Sequence, residues 1–261
     1  MAPKKYIDKL INTYKQHFGE KPRQHYSSPL EKGNHPEIDK SDLLGYEGIK
    51  IYQSLIGALQ WAVSIGRLDI TSAVVTMSGF RIAPRQGHLD QVKRICGYLL
   101  HFWEATIRFV TDEPNFSMLP QQEFDWMYLV YGDVKELIPI DAPEPLGKYV
   151  TTLTYKDANL LHDLITGRSL MGIMHFLNKT PIDYFSKKQN TVETATYGSE
   201  FVTAKTATKQ IMDLRLTLHY LGVPVREVSY LFGVNKAVVD SLTIPHSKIH
   251  KQHMTLSFHR V

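Results

Sequence analysis

Two things are scarce in this sequence: cysteine and long apolar runs. The single cysteine, Cys96, excludes a disulfide within the chain and is typical of proteins kept in a reducing compartment. The most apolar stretch, residues 51–65, is interrupted by Gln53, Ser54 and Gln60, which makes it a poor candidate for crossing a bilayer. No secretory leader pattern opens the sequence. We therefore expect an intracellular protein, cytoplasmic or nuclear, that does not enter a membrane.

Charge is unevenly distributed along the 261 residues, whose formal net charge is +4. From Lys148 onward there are 14 basic against 8 acidic residues, whereas the first 147 residues hold 16 against 18. A basic surplus attracts the phosphates of nucleic acids, but an ordinary solvated surface also carries one. Both interpretations of the C-terminal half stay open on charge alone.

Residues 1–110 predict a helical domain. Apolar residues recur at helical spacing in four stretches, 7–18, 51–63, 70–80 and 89–102. Asp69 is the predicted N-cap of the third helix, and Pro84 is expected to end it. We interpret these apolar stripes as faces that pack into a core.

Residues 111–147 are the best candidate for a linker with some structure of its own. Four prolines, at positions 120, 139, 143 and 145, interrupt the segment. Its aromatic residues Phe124, Trp126, Tyr128 and Tyr131 favour a buried strand, with stacking on nucleic-acid bases as the alternative.

Residues 148–261 predict a mixed sheet with packed helices. Strands are expected at Tyr149–Asp157, Ser169–Leu177, Pro181–Ser186 and Val225–Phe232. A long helix precedes the fourth strand and stops at Gly222, and another helix begins near Asn235. The predicted fold class is therefore α/β (α+β overall), with at least one crossover connection.

Two acidic residues stand where metal-dependent chemistry would need them. Asp157 ends the first predicted strand, and Glu200 faces inward from the first turns of the long helix. An enzyme that cleaves phosphodiesters with two Mg²⁺ ions, about 4 Å apart, needs several such carboxylates at one place. On the sequence pattern alone, an aspartate at a strand end and a glutamate on a helix more commonly face solvent.

Four ordered motifs carry a resemblance to a known family. They are Tyr155–Asn159 (YKDAN), Thr166–Ser169 (TGRS), Ser186–Gln189 (SKKQ) and Glu193–Phe201 (ETATYGSEF). In this order and at these spacings they resemble the S-D-A-D, R-K-S-x-S-G, S-K-K-Q and S-S-T-E-A-E-Y motifs of the ribonuclease H domain of copia-type retrotransposons.

The resemblance extends over nearly the whole chain. The upstream segments Lys4–Leu10 (KKYIDKL), Tyr52–Gly57 (YQSLIG) and His88–Arg94 (HLDQVKR) are similar to the end of the same polyprotein's reverse transcriptase. The resemblance thus implies a thumb-like reverse-transcriptase remnant at 1–110, a connection at 111–147 and an incomplete ribonuclease H-like domain at 148–261.

The resemblance also implies which residues would be catalytic. Asp157 matches the first catalytic Asp and Glu200 the catalytic Glu, both as magnesium ligands, whereas Val234 stands where the family has a third acid. A fourth acid belongs to a segment that we expect beyond Val261, and no Y-x-D-D polymerase motif occurs. We therefore expect weak or absent Mg²⁺ binding and an impaired ribonuclease H, inactive as an isolated chain.

The implied partner is an RNA–DNA hybrid or another nucleic acid. Lys187 and Lys188 are candidate phosphate contacts, with a solvated turn as the alternative. The fourth strand, without the family's fifth, is expected to expose an edge through which chains could self-associate. Two other interpretations remain: a non-catalytic protein that binds nucleic acid, and a decayed reading frame without a selected function.

For other ionisable residues the sequence gives weaker indications of a functional role. Asp240 is an unfavourable substitute for the lost acid because it lies well inside the last helix. Asp163 and Asp183 are expected to be solvated. His246, His250 and His253 share a helical face and suggest a zinc site, although structural zinc sites usually include cysteine.

Overall fold

The computed structural model describes residues 3–118 and 136–244. Within these, one compact unit contains residues 3–108, 162–167 and 185–187, and a second contains 109–118, 136–161, 168–184 and 188–244. The aromatic run at 124–131 and the three histidines at 246, 250 and 253 lie outside the described residues. No helix in the described part of the chain is long and apolar enough to cross a membrane.

The first unit is built from four α-helices around an apolar core. They are α1 (Lys4–Phe18), α2 (Tyr46–Ser64), α3 (Thr71–Ser78) and α4 (Gln86–His101). Each turns its apolar stripe inward, so that Ile7, Ile56, Met77 and Ile95 have no exposed surface. The predicted helical stripes are confirmed as core-facing.

The start of α3 differs from the prediction. Asp69 does not cap the helix; it lies in a 3₁₀ turn and receives two hydrogen bonds from the buried guanidinium of Arg67, at 2.9 and 2.6 Å. Since its carboxylate is occupied there, no side chain caps the helix that begins at Thr71. The helix also ends at Ser78, well before Pro84.

The second unit is organised around a sheet of four strands, in the order β3-β2-β1-β4. The strands are β1 (Thr152–Asn159), β2 (Leu170–Leu177), β3 (Thr180–Lys188) and β4 (Tyr230–Phe232). β1 runs antiparallel to β2 and parallel to β4. The mixed sheet and the helices confirm the predicted α/β fold class.

The long helix α5 (Thr196–Tyr220) packs against the sheet, and α6 (Lys236–Thr243) packs against α5. The contact between α5 and the sheet is partly polar. His175 Nδ1 lies 2.9 Å from Thr154 Oγ1, and its Nε2 lies 3.2 Å from Gln210 Oε1. Because the Gln210 oxygen can only accept, Nε2 carries the hydrogen and Nδ1 accepts from the threonine hydroxyl.

The fourth strand is shorter than predicted. An isolated bridge joins Val225 to Val150, but continuous pairing with β1 is confined to Tyr230–Phe232. Between these points the backbone bonds elsewhere: the carbonyl of Arg226 accepts from the guanidinium of Arg215 at 2.8 Å. Within the described residues β4 is an edge strand, and self-association through it stays a prediction.

Candidate functional site

A buried ion pair lies at the carboxyl end of β1. The Lys156 Nζ donates to Glu200 Oε2 at 2.6 Å and to the Glu200 backbone carbonyl at 3.3 Å. The two side chains are 2% and 5% exposed. The other carboxylate oxygen of Glu200 accepts from the backbone amide of Ala158, also at 3.3 Å. Both oxygens of Glu200 are therefore engaged by the chain itself.

Asp157 lies on the other side of the same strand. Successive side chains leave a strand on opposite faces. Since Lys156 points toward α5 and Glu200, Asp157 points away from them, and its side chain is exposed. The structure therefore brings Glu200 together with Lys156, whereas the closeness of the Asp157 and Glu200 carboxylates stays a prediction.

The end of β4 closes over the ion pair. A Cβ atom added to Gly233 would lie 2.5 Å from Lys156 Cε and 2.9 Å from Lys156 Nζ, so that a larger residue there would require the end of the lysine side chain to move. Val234 follows directly and is 81% exposed. The position that the resemblance assigns to a third acid is thus next to the residue that covers Lys156, but it holds an exposed apolar side chain.

Two of the recognised motifs build the support for Glu200. The buried side chain of Gln189 donates to the Ser199 carbonyl at 2.7 Å and to Thr203 Oγ1 at 3.1 Å. Its backbone amide donates to the Ser169 carbonyl at 2.8 Å. Gln189 therefore ties the segment after β3 to the residue before β2 and to the first turns of α5. This fixes the turn of helix from which Glu200 projects.

The remaining candidate residues lie on β3, on α6 and in a turn. Lys187 and Lys188 are the last two residues of β3, the first exposed and the second half-buried. Asp240 lies inside α6, as expected, and Asp183 is exposed. The expectation for Asp163 is wrong: it is buried, because its Oδ1 closes its own turn by accepting from the amides of residues 165 and 166.

The donor set does not fit a divalent metal ion. Mg²⁺ requires oxygen ligands at about 2.1 Å in octahedral geometry. Glu200 has an ammonium group in contact with its carboxylate, and Val234 supplies no oxygen. Across the part of the chain that the structure describes, no group of three or more His, Cys, Asp or Glu side chains is placed to hold a metal.

Lys156 and Gln189 were missed as site residues by sequence reasoning. A lysine beside an exposed aspartate gives no local sign of burial, because its partner lies 44 positions away on another element. Gln189 stood within a recognised motif, but its hydrogen bonds to α5 depend on the packing of the helix. The signal available in the sequence was that Lys156 replaces the serine of the S-D-A-D pattern.

Comparisons with known proteins support the resemblance. No family model and no solved structure matches the chain. It is 22% identical over 221 residues to the retrovirus-related Pol polyprotein from transposon RE1 of Arabidopsis thaliana, covering 82% of this chain and 12% of that protein. It is 23% identical over 233 residues to the corresponding polyprotein from transposon TNT 1-94 of Nicotiana tabacum, covering 87% of this chain and 14% of that protein.

The chain thus spans about an eighth to a seventh of the length of these curated relatives. Both matches run over more than four fifths of the chain. Together with the ordered motifs and the α/β fold, these matches support the resemblance of the chain to part of the Pol polyproteins of copia-type retrotransposons.

Proposed function

We propose that this retrotransposon-derived chain combines the end of a reverse transcriptase with a ribonuclease H-like unit whose ancestral activity was cleavage of RNA in RNA–DNA hybrids. The observation that carries the proposal is the set of elements on which three motif positions lie. Asp157 lies near the end of β1, Glu200 lies on the helix packed against it, and Val234 follows the parallel strand β4. A two-metal phosphodiesterase needs acidic side chains that converge from several elements, and a strand, a packed helix and the end of a neighbouring strand can supply them.

The same geometry supports impaired catalysis. Two-metal hydrolysis needs carboxylates that converge on both cations, which activate a water molecule and stabilise the leaving oxygen. Glu200 is neutralised by Lys156, Asp157 faces away from it, and Val234 has no charge. We therefore expect weak or absent Mg²⁺ binding and little hydrolysis by this chain.

A cleavage assay on a defined hybrid tests this proposal. The substrate is an RNA–DNA duplex labelled on the RNA strand, incubated with the full chain in Mg²⁺ or in chelator. We expect the Mg²⁺-dependent cleavage to be no greater for the natural chain than for Asp157→Asn. Robust cleavage that requires Mg²⁺ and disappears in Asp157→Asn would contradict the expected impairment.

Nucleic-acid binding without catalysis is the second candidate function. It is favoured by the basic surplus after residue 148 and by the exposed side chain of Lys187. Contacts between lysines and phosphates release counterions, so that affinity falls steeply as salt rises. They carry no sequence information, and binding should therefore tolerate changes of sequence.

Binding measured over a range of salt concentrations tests this second function. Each lost phosphate contact reduces the slope of log affinity against log salt by roughly one. Replacing Lys187 and Lys188 by alanine should therefore reduce it by about two. The matched control replaces the exposed Lys5 and Lys9 of α1 by alanine and should leave the slope unchanged. Salt-independent or undetectable binding by the natural chain would contradict this second function.

A further inference from the structure

The buried lysine at the candidate site has a role that an impaired nuclease does not by itself explain. We infer that the ammonium group of Lys156 is the resident cation of this site, standing in for a divalent metal ion beside Glu200. Glu200 is then a structural residue, and the site folds without a metal. The inference rests on the proposed ribonuclease H-like ancestry, because that ancestry is what makes a metal ion the expected neighbour of Glu200.

Because the side chains of Lys156 and Glu200 are both buried, each charge needs the other as its partner. A charged side chain with almost no exposed surface is strongly destabilising unless an opposite charge and hydrogen bonds compensate it. Lys156 and Glu200 meet this requirement with one charge each, and the amide of Ala158 satisfies the second carboxylate oxygen. The pair is electrically neutral as it stands, so that an added divalent ion would leave an uncompensated positive charge.

The ammonium is held by its hydrogen bonds to Glu200, and the backbone of Gly233 lies against it. Gly233 lies so close to Lys156 that a methyl group there would overlap both Cε and Nζ. To reach Glu200, a metal ion would have to displace the ammonium, and the lysine chain would then need a new path past the backbone at the end of β4. A cation left nearby would also be repelled, since like charges about 4 Å apart in a protein interior interact strongly.

The two departures from the family pattern compensate each other. Val234 removes a negative charge next to the site, and Lys156 adds a positive charge inside it. A site with fewer acids binds metal ions less well, and a single ammonium group balances the single buried carboxylate that remains. Lys156 therefore supplies the positive charge beside Glu200 in a chain where Val234 has removed an acidic metal ligand.

Thermal unfolding of the full chain tests the inference, using variants and divalent ions at constant ionic strength. Lys156→Met strands the Glu200 carboxylate and should lower the transition temperature of the second unit by about 10 °C. The double variant Lys156→Met with Glu200→Gln removes both charges and should recover at least half of that loss. The control Lys209→Met replaces an exposed lysine of α5 and should shift the transition by less than about 2 °C.

The effect of divalent ions on thermal unfolding is the second part of the test. Neither Mg²⁺ nor Mn²⁺ should raise the transition temperature of the natural chain beyond the effect of matched NaCl. In Lys156→Ser, which frees the carboxylate and leaves space beside it, Mn²⁺ should raise the transition temperature, and Glu200→Gln should abolish that rise. If the single variant Lys156→Met does not fold, restoration of folding in the double variant with Glu200→Gln supports the inference.

Three outcomes would overturn the inference. The first is a Lys156→Met variant no less stable than Lys209→Met. The second is a double variant no more stable than Lys156→Met. The third is a Mn²⁺-induced rise in the natural chain that requires Glu200. None of these measurements involves nucleic acid, so the inference can fail while the hybrid-cleavage result stands, and the cleavage result can fail while the ion pair stands.

Discussion

The two units of this chain have interiors of different chemistry. The helical unit has a continuous apolar core of 18 buried residues, whereas in the described part of the second unit the buried apolar residues are fewer, and those between α5 and α6 form a cluster of Tyr197, Phe201, Ala204 and Val238. The second unit instead buries many polar and charged side chains, including Thr154, Lys156, His175, Gln189, Glu200, Thr203 and Arg215. The first interior is mainly apolar, and the second combines apolar burial with buried polar side chains that form hydrogen bonds.

This difference changes how each unit should respond to substitution. Apolar contacts are non-directional, so that the cost of a truncation follows the volume removed. Polar pairs in a poorly hydrated interior are directional, and removing one partner leaves the other unsatisfied. The second unit should therefore be sensitive to changes of chemistry that the first unit would tolerate on its surface.

The largest expected effect is a truncation in the apolar core. Ile56→Ala should destabilise the helical unit by about 3 kcal/mol, because the side chain is completely buried. Cys96 reports on this unit, since it is fully buried and burial raises the pKa of its thiol to about 12. A thiol reagent should label it only when the unit opens, and much faster in Ile56→Ala. Equal labelling rates in Ile56→Ala and in Ile82→Ala, whose side chain is 92% exposed, would contradict the picture.

An intermediate effect is expected at Arg215 in the polar interior. Its guanidinium donates to Ser229 Oγ at 2.9 Å and to Glu136 Oε1 at 2.8 Å, besides the Arg226 carbonyl. Arg215→Met keeps much of the volume but leaves these acceptors unsatisfied, which should cost about 2 kcal/mol. Hydrogen exchange of the amides in β1 and β4 measures the loss. The control is Arg168→Met at an exposed position, and an equal effect of the two substitutions would argue against a polar interior.

The smallest expected effect concerns acid pH. The hydrogen bond from Arg215 holds the pKa of Glu136 below its ordinary value of 4.5, against an opposing effect of burial. A carboxylate with a lowered pKa stabilises the fold above its ordinary pKa, and the contribution is lost as pH falls through the lowered value. Glu136→Gln should therefore flatten the decline in stability below about pH 4.5. Glu144→Gln, at an exposed position, is the control, and identical acid profiles for both variants and the natural chain would refute the link.

Much of the architecture was predictable because it follows from local patterns. The apolar spacing of α1, α2 and α4 fixes which face is buried, and the β-branched and aromatic runs locate β1, β2 and β3 to within a few residues. The stop of the long helix was predictable from Gly222, which has a φ of +67°. These features depend on the immediate chain and on little else.

The candidate site was only partly predictable because its geometry depends on distant partners. The motifs identified Asp157 and Glu200, but they gave no sign that Lys156 faces α5 and pairs with Glu200. The apolar residues of β1, such as Leu153, gave no sign that the face covered by the helix is the one that carries threonines and a lysine. The shortening of β4 was also hidden, and there the carbonyl of Arg226 accepts from Arg215, a partner on another element.

The most direct test of the central claim is to locate the cation beside Glu200. Crystals of the full chain grown with Mn²⁺, with diffraction recorded at the manganese absorption edge, would reveal bound manganese in anomalous difference maps. We expect no manganese peak within about 3 Å of the Glu200 carboxylate oxygens, a distance that exceeds direct coordination. The Lys156 ammonium should occupy that place instead. A manganese peak coordinated by Glu200, with the Lys156 side chain turned away from it, would contradict the claim.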